Sequence, residues 1–265
     1  MKLFLEFTFF LFFIFIGCQR IENSENQLVQ GHDTLGYSYQ SKLAKEISCT
    51  SKTDTTDCCL VRLKYPEFDS LPIPLRDSFS LFSKQFFTWI ENKPGNPDTL
   101  IQSFFHEYQA VEILNGKASL PWYLDKAMVV ERQTRSWICL GIYENVFTGG
   151  AHPSQKINWI TLDQKSGKRL GLIDFFDTTG IKKLTKAGEK YFREAREIKP
   201  DFSLSEAGLD FKNGEFSLNE NFCFTKEGIK FIFNEYEIGP YSMGMTEFTI
   251  PANKFVKFMK IRKNP

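Results

Sequence analysis

The residues best equipped for chemistry lie in the stretch VFTGGAHPSQ, Val146 to Gln155. Tandem Gly149 and Gly150 permit positive φ and close backbone approach, so the chain can turn sharply out of a strand there. Pro153 fixes its own φ and biases His152 toward an extended conformation. An imidazole presented on such a loop can act as general base, as ligand, or as a hydrogen-bonding cap of the turn itself. Its candidate partners come from NEYEIGPYSMG: Glu235, Tyr236, Glu237 and Tyr241. If the preceding strand persists to Glu237, Glu235 and Glu237 share a face and Tyr236 takes the other. Gly239 and Pro240 then end the strand and gather these side chains at its mouth. A His152/Glu237 pair there would serve acid–base chemistry or lock two loops together.

Standard enzyme patterns are missing: there is no His-Glu-x-x-His, no Gly-x-Ser-x-Gly elbow and no Gly-x-x-x-x-Gly-Lys. Only three His are present. His32 lies in a polar run, and His106 lies well round from the apolar stripe of its helix, where solvent is the expected environment. Ser154 follows Pro153, but nothing orients a base toward it. No cofactor fingerprint is visible. The cysteines match no zinc pattern, because adjacent Cys58 and Cys59 point to opposite faces of a strand. The expectation is therefore no cofactor and no metal. Paired Trp122 and Tyr123 behind Pro121 suit either packing at the core edge or stacking on a sugar ring or partner.

The elements that must position these residues can be read from periodicity. SCTSKTDTTDCCLVRLKYPEF predicts a hairpin whose second strand runs from Cys59 to Tyr65, turning at the Thr-Asp cluster. Leu75, Phe79, Phe82, Phe86 and Ile90 recur at helical spacing. A second helix starts with Asn96 as N-cap and Pro97 in the first turn, and continues through Leu100, Phe104, Tyr108 and Val111. AMVVERQTRSWICLGIYENVF gives two strands around Gln133 to Arg135, the second leading into the His152 loop. KINWITLDQKSGKRLGL is another hairpin, turning at Lys165 to Lys168. Ile181, Leu184, Ala187, Tyr191, Ala195 and Ile198 make a third helix behind a Thr N-cap. Two strands joined at Thr225 to Gly228, a last strand TEFTIP and a short basic helix ANKFVKFMKIRK complete the chain. Hairpins interrupted by helices, without regular strand–helix alternation, predict an α+β fold of antiparallel sheets with packed helices.

The amino terminus sets the compartment. MKLFLEFTFFLFFIFIGCQR carries an apolar run from Phe7 to Ile16, shorter than the roughly 20 residues a spanning helix needs. It reads as a signal peptide over residues 1–17. Gly17-Cys18 resembles a bacterial lipobox, with Cys18 lipidated and a polar tether over 18–36. Two modules follow, residues 37–145 and 146–265. Formal net charge is only +1, with Lys and Glu interspersed, so the basic field needed for nucleic acid is lacking. The 28 Phe are assigned mostly to core packing. Outside the cytoplasm disulfides are permitted among Cys49, Cys58, Cys59, Cys139 and Cys223, with Cys49 and either Cys58 or Cys59 placed to close a hairpin and one thiol left over.

FTGGAHPSQKINWITLDQKSGKRLGLIDFF and FTKEGIKFIFNEYEIGPYSMGMTEFTIP together resemble the paired extracellular domains of unknown function in RsiV-like anti-sigma factors and in the N-terminal part of PdaC-like peptidoglycan deacetylases. The resemblance is strong from Phe147 to Pro251 and one of texture from Tyr37 to Glu144. In the anti-sigma factors this region binds lysozyme; in the deacetylases catalysis belongs to a separate metal-dependent domain. The resemblance implies a stand-alone binding or sensing lipoprotein of the bacterial cell envelope. Its partner would be cell-wall glycan or a wall hydrolase such as lysozyme, and it would not be an enzyme. Gln19 after Cys18 tilts the anchor toward the outer membrane. The contact residues would be Gly149, Gly150, His152, Pro153, Tyr236, Glu237 and Tyr241. The rival expectation is an envelope enzyme acting on peptidoglycan through His152 and Glu237.

Overall fold

The computed structural model describes residues 35–46, 59–89, 95–115 and 120–260. The expected signal peptide, Cys18, most of its tether, and Cys49 and Cys58 lie outside them. Strand β1 (Tyr37–Lys45) pairs antiparallel with β2 (Leu60–Phe68), Tyr37 opposite Phe68 and Lys45 opposite Leu60. The expected second strand is thus present as Leu60–Phe68, but its partner Tyr37–Lys45 lies upstream of the stretch read as the hairpin, and the Thr-Asp cluster falls outside the described residues. Helices α1 (Ile73–Phe86) and α2 (Pro97–Asn115) then carry the chain over to β3 (Tyr123–Gln133), which runs parallel to β2. A parallel joint needs such a long crossover. From there the chain meanders antiparallel through β4 (Trp137–Phe147), β5 (Ser154–Asp163) and the short β6 (Arg169–Leu170). The result is a six-stranded sheet in the order β1-β2-β3-β4-β5-β6. Strands β5 and β6 follow residue 146, yet they share this sheet with the four strands before it.

The helices bury the stripes that periodicity picks out. Leu75 and Phe86 of α1 and Leu100, Phe104 and Tyr108 of α2 are buried on β2, β3 and β4. Asn96 caps α2, its Oδ1 accepting from the backbone N–H of Asp98 and Thr99, each at 3.0 Å. Ile90 lies outside the described residues, and His106 is exposed. Trp122 is buried against Phe104 and Tyr108, so it is core, and Tyr123 stacks on Phe147 across the β3–β4 pair.

The second sheet is β7 (Phe222–Phe224), β8 (Gly228–Phe233) and β9 (Thr246–Pro251), all antiparallel. Against it lie the short α3 (Leu172–Phe175) and α4 (Thr178–Ala195). The cap of α4 is Asp177, whose Oδ1 accepts from Gly180 N–H, and not the expected Thr; a carboxylate at the N-terminus also meets the helix dipole favourably. The buried stripe is also rotated. Leu184 and Phe192 are fully buried, Ala195 is exposed, and Ile198 lies beyond the helix. Phe192 packs on Phe211, Phe216, Phe233 and Phe248, mostly edge to face, the arrangement the ring quadrupole favours. Each such phenylalanine contributes on the order of 1.5–3 kcal/mol by leaving water.

The expected basic C-terminal helix is instead two 3₁₀ turns, Ala252–Lys254 and Val256–Phe258. Phe255 and Phe258 pack on Phe176, and Met259 forms a β-bridge with Phe176, so the chain runs extended at Met259 instead of continuing as one α-helix. Among the described residues a large hydrophobic core lies under each sheet, and a smaller cluster of Cys139, Trp159, Cys223 and Ile232 lies between them. The architecture is α+β.

Candidate functional site

The two sheets are joined along the outer edge of β5. Strand β6 covers that edge only at Thr161 and Leu162. Farther back, three side chains from the small sheet take over. Trp159 N–H donates to Asn221 Oδ1 at 2.7 Å and Ile157 N–H to Asn234 Oδ1 at 2.8 Å. Gln155 N–H donates to a Glu235 carboxylate oxygen at 3.2 Å. The carbonyl of Ile157 accepts from both Asn221 and Asn234, at 2.7 and 3.0 Å. Residues 155, 157 and 159 present their backbone groups to one side, so the two amides and the carboxylate stand in for a neighbouring strand. A disulfide between Cys139 on β4 and Cys223 on β7 ties the same two sheets from within, beside Trp159 and Ile232. Among the described residues Cys59 is a free, buried thiol, so it does not close a hairpin with Cys49.

This clasp sets the two loops side by side. Strand β8 stops at Phe233, so the condition under which Glu235 and Glu237 would share a strand face is not met. Residues 234–237 form a tight turn in which Asn234 N–H donates to Glu237 Oε2 at 2.8 Å and Glu237 N–H returns to the Asn234 carbonyl. Glu237 Oε1 accepts from Asn219 at 2.7 Å. Both oxygens of Glu237 thus brace the turn. Tyr236 sits at φ 64°, a left-handed conformation uncommon for an aromatic residue, and the residue is 65% exposed.

Opposite it, the 148–153 loop leaves β4. Gly149 has φ 81°, and a Cβ there would lie 3.0 Å from Trp122 Nε1, so both conformation and space call for glycine. Gly150 is exposed, and Ser154 is the exposed first residue of β5. The His152 ring lies flat on Tyr241, with centroids 3.5 Å apart and planes 12° apart. Tyr241 O–H donates to the Pro153 carbonyl at 3.0 Å. His152 Nδ1 is 3.1 Å from that same carbonyl, which can only accept, so Nδ1 carries the proton and Nε2 faces Tyr236 O–H at 3.5 Å. Burial first, then the charge of Glu235 and the neighbouring Tyr236, pushes the Tyr241 phenol above its ordinary pKa, which keeps the O–H donor in place.

His152, Pro153, Tyr236 and Tyr241 are therefore brought together, with Gly149 shaping the approach. Glu237 stands apart, committed to Asn219 and Asn234 rather than to His152. What the arrangement offers is an exposed aromatic surface with an imidazole in it. Among the described residues no three His, Cys, Asp or Glu side chains converge on a metal position. No described helix is long and apolar enough to cross a membrane. Periodicity gave no hint of Asn221 and Asn234, because an amide that substitutes for a strand has no sequence period.

Two sheets joined edge to edge, with loops from both meeting in one aromatic cluster, define the class of protein. Residues 174–253 match the model of a family described as a protein of unknown function, DUF3298. A DUF3298 family member from Bacteroides fragilis superposes with a TM-score of 0.62 at 22% identity, over 86% of this chain and 95% of its own. A DUF3298 family protein from Pseudomonas aeruginosa gives a TM-score of 0.61 at 18% identity, over 86% of this chain and 96% of its own. The chain has the fold of these proteins. No functionally curated protein matches it.

Proposed function

We propose that the chain is a DUF3298 protein working as a non-catalytic binding or sensing module of the bacterial envelope, akin to the RsiV-like and PdaC-like extracellular domains. In this reading residues 1–17 are a signal peptide, Cys18 carries the lipid, and the anchor lies in the outer membrane. The partner is cell-wall glycan or a wall-active protein such as lysozyme. The observation that carries the reading is the Tyr236/His152/Tyr241 cluster. Tyr236 is held outward by a left-handed backbone, its O–H near the edge of an imidazole that is stacked on Tyr241. Rigid, exposed aromatics with polar tips are the side chains that recognition surfaces favour, because they bring large area at low entropic cost. The commitment of Glu237 to its own turn favours binding over acid–base chemistry.

The test is a pull-down of the protein against lysozyme and against purified peptidoglycan fragments, with released acetate and sugar assayed in the same tubes. Saturable binding that falls at least tenfold in Tyr236→Ala supports the reading. Product that disappears in His152→Ala would instead make the loop an active site. Neither binding nor product would remove both.

A further inference from the structure

A separate cleft of about 670 Å³ opens where α4 ends. That is within the range of small-molecule sites, roughly 300–1,000 Å³. Arg196 is the C-cap, and Glu197 takes a left-handed φ of 55° that turns the chain away from the helix axis. Ile198, Lys199, Phe202, Leu209 and Met243 line the cleft with them. Arg193 fixes this loop. It pairs with Glu189 at 2.9 Å and donates to the Phe202 carbonyl at 2.8 Å.

Arg196 is placed differently. Its Nη1 donates to the Met243 carbonyl at 2.7 Å, and among the described residues no carboxylate pairs with it. Partial burial lowers its pKa from the ordinary value, so the guanidinium gives up part of its hydration without a carboxylate beside it. An arginine remains charged even so. Its remaining N–H groups form a planar fork whose natural complement is a carboxylate held bidentately. Lys199 adds positive charge at the same mouth, while Glu197 sits there as the opposing carboxylate and disfavours a doubly charged anion. Beyond the cation the walls are apolar, from Ile198, Phe202, Leu209 and Met243.

We propose that this cleft binds a small amphiphilic carboxylate, its apolar body against Phe202, Leu209 and Met243 and its head on Arg196. A free medium-chain fatty acid and the C-terminal carboxylate of an apolar peptide share that chemistry. The experiment is titration calorimetry on the full chain with decanoate, with an N-acetylated apolar dipeptide, and with the methyl ester of each. At least one acid should bind saturably, with its ester at least tenfold weaker. Which acid binds identifies the source. Arg196→Gln, which keeps an N–H for Met243, should weaken binding at least tenfold, and Glu197→Gln should tighten it. If Arg196→Gln lowers the melting temperature, the acid-to-ester ratio on the unaltered chain decides alone. Saturation by neither acid, equal affinity for acid and ester, or unchanged affinity in a folded Arg196→Gln chain would overturn the proposal.

Discussion

The imidazole of His152 lies face to face with the ring of Tyr241, 3.5 Å between centroids, although one residue follows β4 of the large sheet and the other lies between β8 and β9 of the small one. The contact depends on the two sheets keeping their mutual position. His152→Ala removes the stack and the approach of Nε2 to Tyr236, yet leaves the exposed loop free to relax. We expect a loss of about 0.5–1.5 kcal/mol in chemical denaturation, the worth of an aromatic pair. A loss above about 3 kcal/mol would mean that His152 is a structural keystone.

The amides on the edge of β5 should matter more. Asn234→Ala strips the acceptor from Ile157 N–H and leaves that half-buried group unmet, while the Ile157 carbonyl loses one donor and keeps Asn221. The expected cost is about 1–3 kcal/mol. Hydrogen exchange should accelerate at Ile157 while Leu140 and Leu162 stay protected; uniform acceleration would contradict a local clasp.

Reduction of the Cys139–Cys223 bond should lower stability by about 2–5 kcal/mol, since the cysteines are 84 residues apart and the bond restrains a long stretch of the unfolded chain. Paired Cys139→Ala and Cys223→Ala melting curves, with and without reductant, measure this. Reductant that shifts the unaltered chain no further than the double variant locates the whole effect in this bond.

Cys59 has its thiol pushed up to about 12 by burial first and by the charges of Glu46 and Glu112 next. A raised folded-state pKa means the unfolded chain ionises earlier. This contribution to stability is therefore complete below the ordinary thiol value of 9.0 and is lost as pH rises from there toward 12. At pH 8, peptide mapping after iodoacetamide should find Cys59 unmodified in native protein and modified in denaturant. Equal labelling in both would refute the buried assignment.

Asp177→Ala should cost α4 about 1 kcal/mol by uncovering the Gly180 N–H. Asp177→Asn, which keeps the oxygen but not the charge, should recover most of it. Thermal melts of the two variants separate the hydrogen bond from the dipole.

Much of the architecture is legible in the sequence. The strand pairs around Gln133 to Arg135, Lys165 to Lys168 and Thr225 to Gly228 are where alternation and turn residues place them, and Asn96-Pro97 starts α2. These signals are local: a turn, a cap or a period is decided within a few residues. The errors arise where a neighbour distant in sequence overrides local preference. Phe176 holds the last segment in a bridge instead of a helix. The Phe cluster rotates the face of α4 toward Leu184 and Phe192. The cap of α4 is a local miss instead: Asp177 stands next to Thr178 and takes the Gly180 N–H.

The candidate site divides in the same way. The sequence by itself determined that Gly149 and Pro153 bend a loop around His152, and that tyrosines and glutamates cluster after Phe233. Only the tertiary structure decided that Tyr241 takes the stack and that Glu237 closes its own turn. It also decided that Asn221 and Asn234 complete the edge of β5. Loop conformation follows from local φ preferences, whereas the partner of a side chain depends on which distant backbone is brought within about 3 Å of it, and no sequence period encodes that distance.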